Sequence, residues 1–441
     1  MNLQQTPITV SQGELDPAFG ENGKVFLKTP NPLDQSFDMR GLLVDEEGNT
    51  YITGDILRST RRTDYCCVKL DARGNLDKAF GTAGYVAGRF DSDNGGMTHS
   101  HAHEIVKLGD GKLLLIGSFF DGSLKKSKAL VRLNADGSLD LGFGEQGKVI
   151  IDLGDESKLL RKSRGPSRFA AQSQGENSRS TVLADGRIVL HETVGWSFAK
   201  TTSAVIRLSA TGDLDDSFGK HGIVQISHPD FSHTELNDLL AKKDGTYVLA
   251  GHAYNDDFNS VSALLTRLTD AGEIDTSFAD DGYRLVTPEQ NDLDFLIGKL
   301  VAQTNRRLLA VGWTYGGGVA GLLISREADG SKNIQFNGGE PLQTRLDGYQ
   351  TTWHCASIKH DGKILVFGLV QTSDTPSYVV ARFIDDGTLD TSYANGKGWR
   401  TFPIGEAFLD AASFTEDKVT FLGQVIVAGR PAYCVARGLI G

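Results

Sequence analysis

The chain has 441 residues, 52 glycines against 11 prolines, 39% apolar residues and a formal net charge of −11. That balance suits a β-rich protein with many tight turns and excludes collagen and disorder, while the acidity argues against a nucleic-acid or anionic-membrane partner. No run of eighteen apolar residues offers membrane insertion, and "MNLQQTPITV" lacks a basic and an apolar signal region, so the expected location is cytoplasmic, or exported without a cleaved signal peptide.

From the N-terminus onward one motif recurs. "GELDPAFGENGKV" at residues 13–25 returns as "GNLDKAFGTAGYV", "GSLDLGFGEQGKV", "GDLDDSFGKHGIV" and "GEIDTSFADDGYRL", then as a degenerate "GSKNIQFNGGEPL". The motif glycines are Gly13, Gly74, Gly137, Gly212, Gly272, Gly330 and Gly387, spaced by 61, 63, 75, 60, 58 and 57 residues. Between them the same series repeats, shown whole by residues 103–152: a strand A ("HEIVKL"), an Asp-Gly turn, a strand B ("KLLLIG"), a variable loop, a strand C ("KALVRL") and, after the motif, a strand D ("GKVIID"). Strands B and C are apolar on consecutive residues, so both faces should be buried. Radially stacked sheets do that, and the spacing predicts an all-β, seven-bladed β-propeller of four-stranded blades in a single domain, 1–441.

The expected blades are 34–90, 99–152, 176–227, 233–287, 293–346, 350–403 and 408–441. The last lacks its strand D, which residues 13–27 would supply, closing the ring and removing an exposed sheet edge. The long spacing of 75 marks an inserted basic loop at 153–175, "SKLLRKSRGPSRF" within it. The motif and its period resemble the delta-60 repeat family of bacterial β-propeller-like repeats. That resemblance implies architecture and carries no catalytic residues.

The motif aromatics Phe19, Phe80, Phe143, Phe218, Phe278, Phe336 and Tyr393 occur once per blade, which predicts packing between blades. The motif carboxylates Asp16, Asp77, Asp140, Asp215, Asp275 and Asp390 offer one ligand each where calcium wants several. Their expected partners are Lys69, Arg132, Arg207, Arg267, Arg382 and Arg437, each five residues before a motif glycine or its equivalent; the degenerate copy has Ser325 and Asn333 instead. Cys66, Cys67, Cys355 and Cys434 have no CxxC spacing and read as reduced, buried residues.

Function is expected on the face of B–C loops and D-to-A links, where the repeats differ. Candidate binding residues there are Trp196, Trp313, Trp353, Tyr254, Tyr315, Arg61, Arg62, Arg161 and Arg164, on a face basic in the first three blades and acidic in the fourth and fifth. "HSHAH" puts His99, His101 and His103 on one side of a strand, next to Glu104, and is the candidate divalent-metal site. No nucleophile elbow, zincin, P-loop or dinucleotide motif is present. The expected function is a non-enzymatic binding scaffold for a protein or glycan ligand, requiring no cofactor. The alternative is a metal-assisted hydrolase or lyase, lactonase-like, at the channel mouth.

Overall fold

The computed structural model describes residues 13–91, 98–122, 126–153, 180–194, 200–255, 260–290, 292–372, 376–402, 404, 408–427 and 429–441. Among these the regular structure is all β apart from two single 3-10 turns, at Asn337–Gly339 and Leu346–Gly348. The strands form antiparallel four-stranded meanders in chain order, whose first, inner strands are Ser36–Val44, His99–Lys107, Ser180–Val182, His233–Ala241, Asp294–Ala302, Thr351–Ile358 and Phe408–Phe414. The first two meanders join into one eight-stranded sheet through a single parallel bridge, Thr63 to His99. Each inner strand packs against the next, and Ser36–Val44 packs against Phe408–Phe414.

The N-terminal strand Lys24–Phe26 lies in the last sheet, antiparallel to Arg430–Leu439, with Val25 opposite Val435. The Asp16 N–H donates to the Arg437 carbonyl (2.8 Å), and the Leu439 N–H to the Glu14 carbonyl (2.9 Å). Of the last sheet's four strands, one comes from the opposite end of the chain.

All seven motif aromatics are buried, none more than 2% exposed. Each of the first six is followed by a residue whose N–H donates to the next meander's turn: Gly20 to Arg73, Gly81 to Asp136, Gly144 to Thr211, Gly219 to Ala271, Ala279 to Asp329 and Asn337 to Asp386, all at 2.7–2.8 Å. The motif glycine of that next turn has positive φ, and a Cβ on Gly74 would meet Phe19 at 3.1 Å. One motif therefore turns its own chain and docks the next repeat.

The charged pair of the motif forms in five copies: Lys69–Asp77, Arg132–Asp140, Arg207–Asp215, Arg267–Asp275 and Arg382–Asp390, at 2.6–2.8 Å. In the degenerate copy Asn333 Nδ2 donates to Ser325 Oγ at 2.9 Å, a neutral bond in the same place. The last copy departs from expectation. Asp16 pairs with Lys418 (3.3 Å), the lysine that opens the second strand, while the Arg437 guanidinium donates to the carbonyls of Ala72 and Gly48 in the first meander.

Arg267 also donates to the Ala328 carbonyl of the following meander (3.1 Å). We expect Arg267→Ala to cost about 2 kcal/mol, more than Asp275→Ala, with the double variant losing less than the sum; strict additivity in a denaturation cycle would refute the pairing. Ser277 first, then Arg267, hold the Asp275 carboxyl below its usual range against the upward push of burial. A depressed acid stabilises the fold above its unfolded value of 3.8, so this contribution is lost as pH falls below about 4.

The four cysteines are buried and none is joined in a disulfide, as the sequence suggests. Cys66 and Cys67 point to opposite faces, into the cores shared with the last and the second meander respectively.

Candidate functional site

Every inner strand with its full length described carries a β-bulge at the same place, with the register shifting across Arg40, His103, Asn237, Gly298, His354 and Asp410. Opposite each bulge is a second-strand glycine: Gly54, Gly117, Gly251, Gly312, Gly368 or Gly423. The reason is steric. A Cβ on Gly54, Gly117, Gly251, Gly312 or Gly368 would lie 1.8–2.1 Å from a bulge-flanking carbonyl oxygen. The bulge adds one residue per inner strand and re-aims its side chain, which sets a row of variable, mostly polar side chains on an otherwise repeated frame.

Polar groups concentrate where the last, first and second meanders meet. Tyr433 OH donates to Asp38 Oδ1 (2.9 Å), Gln424 Nε2 donates to Tyr433 OH (2.7 Å), and Arg40 Nη2 donates to Asp38 Oδ2. Asp410 faces this group. It is 6% exposed, and its Oδ2 has no hydrogen-bond partner. Burial, and then the charge of Asp38, push its pKa up to about 8 against the pull of Arg40. Arg40 Nε is likewise buried without a partner. Asp55, raised by burial, is held by His101 Nδ1 at 3.1 Å.

The "HSHAH" histidines do share one side of the inner strand, but they stack rather than converge. Ring centroids are 6.1 Å apart for His99–His101 and 6.4 Å for His101–His103, with planes within 19° and 1°. His99 Nδ1 bonds Thr63 Oγ1 (3.0 Å), His103 Nε2 bonds Ser118 Oγ (3.3 Å), and Glu104 Oε2 accepts from Ser180 Oγ (2.8 Å) in the third meander. Among the described residues no three such groups come together to hold a metal. The structure does not bring the expected metal ligands together: the three imidazoles lie parallel, and Glu104 turns into the neighbouring interface.

Most of the expected binding aromatics that the structure describes are buried. Trp353 is fully buried in the inner strand Thr351–Ile358, against Phe383. Trp313 is 8% exposed, its ring 5.0 Å from that of His354. Tyr254 is 5% exposed, stacks on His233 and donates to Glu235 Oε1 (2.6 Å). Only Tyr315 of these is open to solvent, at 39%. Each apolar ring ends or lies within a strand rather than a loop, and packing takes it. Arg61 is exposed in the turn after the second strand of the first meander, with φ of 63°, and Arg62 is half-buried beside it. Trp196, Arg161 and Arg164 lie outside the described residues.

Several charges of the expected loop-face division are paired among the described residues. Arg58 pairs with Asp34 and Asp64 (3.0 and 2.7 Å), and Lys126 and Lys128 converge on Glu192 (2.8 and 2.9 Å). Against the upward push of burial, Lys128 and Lys126 hold the Glu192 carboxyl well below the usual range. Glu235 pairs with His252 (3.4 Å), and buried Asp238 with Lys299 (3.0 Å).

The polar group of Asp38, Arg40, Asp55, Asp410, Gln424 and Tyr433 escapes the sequence reading. A signal exists in hindsight: Arg40, His103, Asn237 and His354 each stand eight residues before a turn glycine, Gly48, Gly111, Gly245 and Gly362.

Residues 108–143 and 360–393 match the model of a family described as "Domain of unknown function (DUF5122) beta-propeller", which supports a β-propeller family for this chain. No curated protein sequence matches it. Among solved structures, the polysaccharide lyase Uly1 superposes with a TM-score of 0.51 at 12% identity, over 91% of this chain and 90% of that one. The β-propeller domain of the Trilobed protease from Pyrococcus furiosus gives 0.44 at 9% identity (92% and 97% covered), and Trypanosoma rangeli sialidase with sialic acid 0.39 at 11% (95% and 57%). At 12% identity the Uly1 likeness, with the family match, speaks for a propeller-like fold and for nothing finer. No helix among the described residues is long and apolar enough to cross a membrane.

Proposed function

We propose that the chain is a seven-bladed β-propeller, closed by its N-terminal strand, that serves as a binding scaffold for a carbohydrate-like ligand at the mouth of its axis. The observation that carries this is Asp410, whose buried oxygen without a partner faces the Tyr433–Asp38–Arg40 hydrogen-bond chain. A buried polar atom without a partner is costly, and a ligand hydroxyl would satisfy it. Carboxylates, an arginine, an amide and a phenol together supply the donors and acceptors that a polyhydroxylated ligand needs. The site stands at the ends where strand A begins and strand B finishes, on the face whose connections vary between blades.

Saturation-transfer NMR against neutral and uronate oligosaccharides tests this. Wild type should give saturable signals that Asp38→Ala and Arg40→Ala each weaken about tenfold or more, worth roughly 1.4 kcal/mol. Absence of any saturable oligosaccharide, or binding indifferent to both substitutions, would refute the reading.

A second reading, hydrolase or lyase, is favoured by one feature: Asp410, raised to about 8, carries a proton at neutral pH while facing Asp38, the arrangement of an acid–base carboxyl pair. It predicts that Asp410→Asn abolishes turnover of a bound oligosaccharide yet leaves its affinity within about threefold. Whatever the ligand does, Asp410→Asn should also change the pH profile of stability. The raised acid binds a proton in the fold that the unfolded chain releases above 3.8. Wild type therefore loses stability between about pH 4 and 8, by up to about 1.4 kcal/mol per unit, and the amide variant should lose less. Parallel melting-temperature profiles for the two proteins over that window would contradict the assignment.

A further inference from the structure

We propose that the cleft between the fourth and fifth meanders is a binding site for a small oxyanion, with Arg326 as its buried cation and Arg284 as its second guanidinium. This site lies apart from the one at the axis and does not depend on it. The starting point is an exchange in the repeat. Arg326 ends the third strand of the fifth meander, at a position filled by Leu70, Leu133, Leu208, Leu268 and Phe383 in other repeats, all of them buried. Here an arginine occupies that apolar place and is 2% exposed.

Its bonds do not neutralise it. Nη1 donates to the carbonyls of Ser325 (2.9 Å) and Gly339 (3.2 Å), and Nε is buried with no partner. No carboxylate forms an ion pair with it among the described residues. Burial, and then the nearby charge of Arg284, push its pKa down to about 10 against the weaker pull of Glu340, so it remains a cation at neutral pH. A buried guanidinium without an ion-pair partner is among the most costly groups a fold can hold, and replacing such groups with hydrocarbon is often stabilising.

The neighbouring space fits a counter-charge. Arg326 lines a cleft of about 430 Å³ whose walls include Arg284, Lys332, Glu289, Glu340 and Gln343. Its two acids do not supply the missing partner: Glu340 is engaged by Lys332 at 2.6 Å, and Glu289 is exposed. Arg284 is anchored by Nε on the Gly330 carbonyl (2.8 Å) and by Nη1 on Asp280 (2.9 Å), which fixes its guanidinium in the wall. Two arginines from adjacent meanders are thus held near one another, at a repulsion that an oxyanion between them would relieve.

Inorganic phosphate and acetate, titrated separately in a buffer free of other oxyanions, distinguish a phosphate-like from a carboxylate ligand. Calorimetry should show saturable binding of at least one, with a rise in melting temperature on saturation. Arg326→Leu, which restores the residue type of the other repeats, should weaken binding at least tenfold and raise the melting temperature of the anion-free protein. Arg284→Gln should weaken binding several-fold and provides the second arm should the leucine variant misfold. Failure of wild type to bind either anion, unchanged affinity in Arg326→Leu or Arg284→Gln, or a folded Arg326→Leu protein less stable than anion-free wild type, would each overturn the assignment.

Discussion

Removing residues 1–27 is expected to lower the melting temperature by roughly 5 °C or more, a loss of several kcal/mol spread over the unfolding entropy of a long chain. Phe19, fully buried between the last and first meanders, accounts for roughly 3–5 kcal/mol of this by itself. The same deletion removes the partner strand of Arg430–Leu439 and the ring beneath the Arg437 guanidinium, whose centre is 4.1 Å from that of Phe19. Arg437 is 5% exposed, so losing that ring leaves a poorly compensated cation at the junction. Arg430–Leu439 would also become an unpaired edge, and the truncated protein should self-associate on size-exclusion chromatography where full-length protein does not. A synthetic peptide of residues 13–27 should restore the melting temperature. Truncated protein that melts with wild type would mean that this strand contributes no closure.

Much of the frame was legible because each element is repeated, and repetition separates what every blade needs from what one blade does. The motif aromatic and the turn glycine recur at fixed spacing, and the charged pair of the motif forms in five of the copies. Where the last copy is assembled from two distant segments, the pairing rule failed: Lys418, already placed near the motif aspartate as Lys112 and Lys363 are near Asp140 and Asp390, took Asp16. The site was much less legible. Trp313, Trp353, Tyr254 and Tyr315, assigned to loops, lie in strands, because an apolar run that reaches an aromatic residue extends the strand through it. The alternation of "HSHAH" gave the shared side of the three histidines, yet alternation also keeps their rings parallel and about 6 Å apart, which is stacking rather than chelation. Asp38 and Tyr433 are 395 positions apart, and no local pattern marks their meeting.

Frame and site are coupled through the second-strand glycines, and Gly54→Ala is the variant that shows it. The Gly54 Cα faces the bulge of the first inner strand; a Cβ there would lie 2.1 Å from the Asp38 carbonyl oxygen and 2.6 Å from the Met39 Cα. Both are backbone atoms, so no side-chain rotation relieves the clash, and the bulge must open. Met39 is fully buried, which leaves the strand no room to retreat. We expect a loss of roughly 3 kcal/mol or more, at the upper end of overpacking costs. Displacement of Asp38 and Arg40 should also break their link to Tyr433, so any oligosaccharide bound at the axis should be lost even under conditions where the variant remains folded. Gly298→Ala is the control. Gly298 is itself a bulge residue, but its Cβ would meet only the Trp313 ring, at 3.4 Å, an ordinary contact. That variant should stay within about 0.5 kcal/mol of wild type. Equal stability losses for the two alanines in chemical denaturation would show that glycine is selected at Gly54 for a reason other than the bulge.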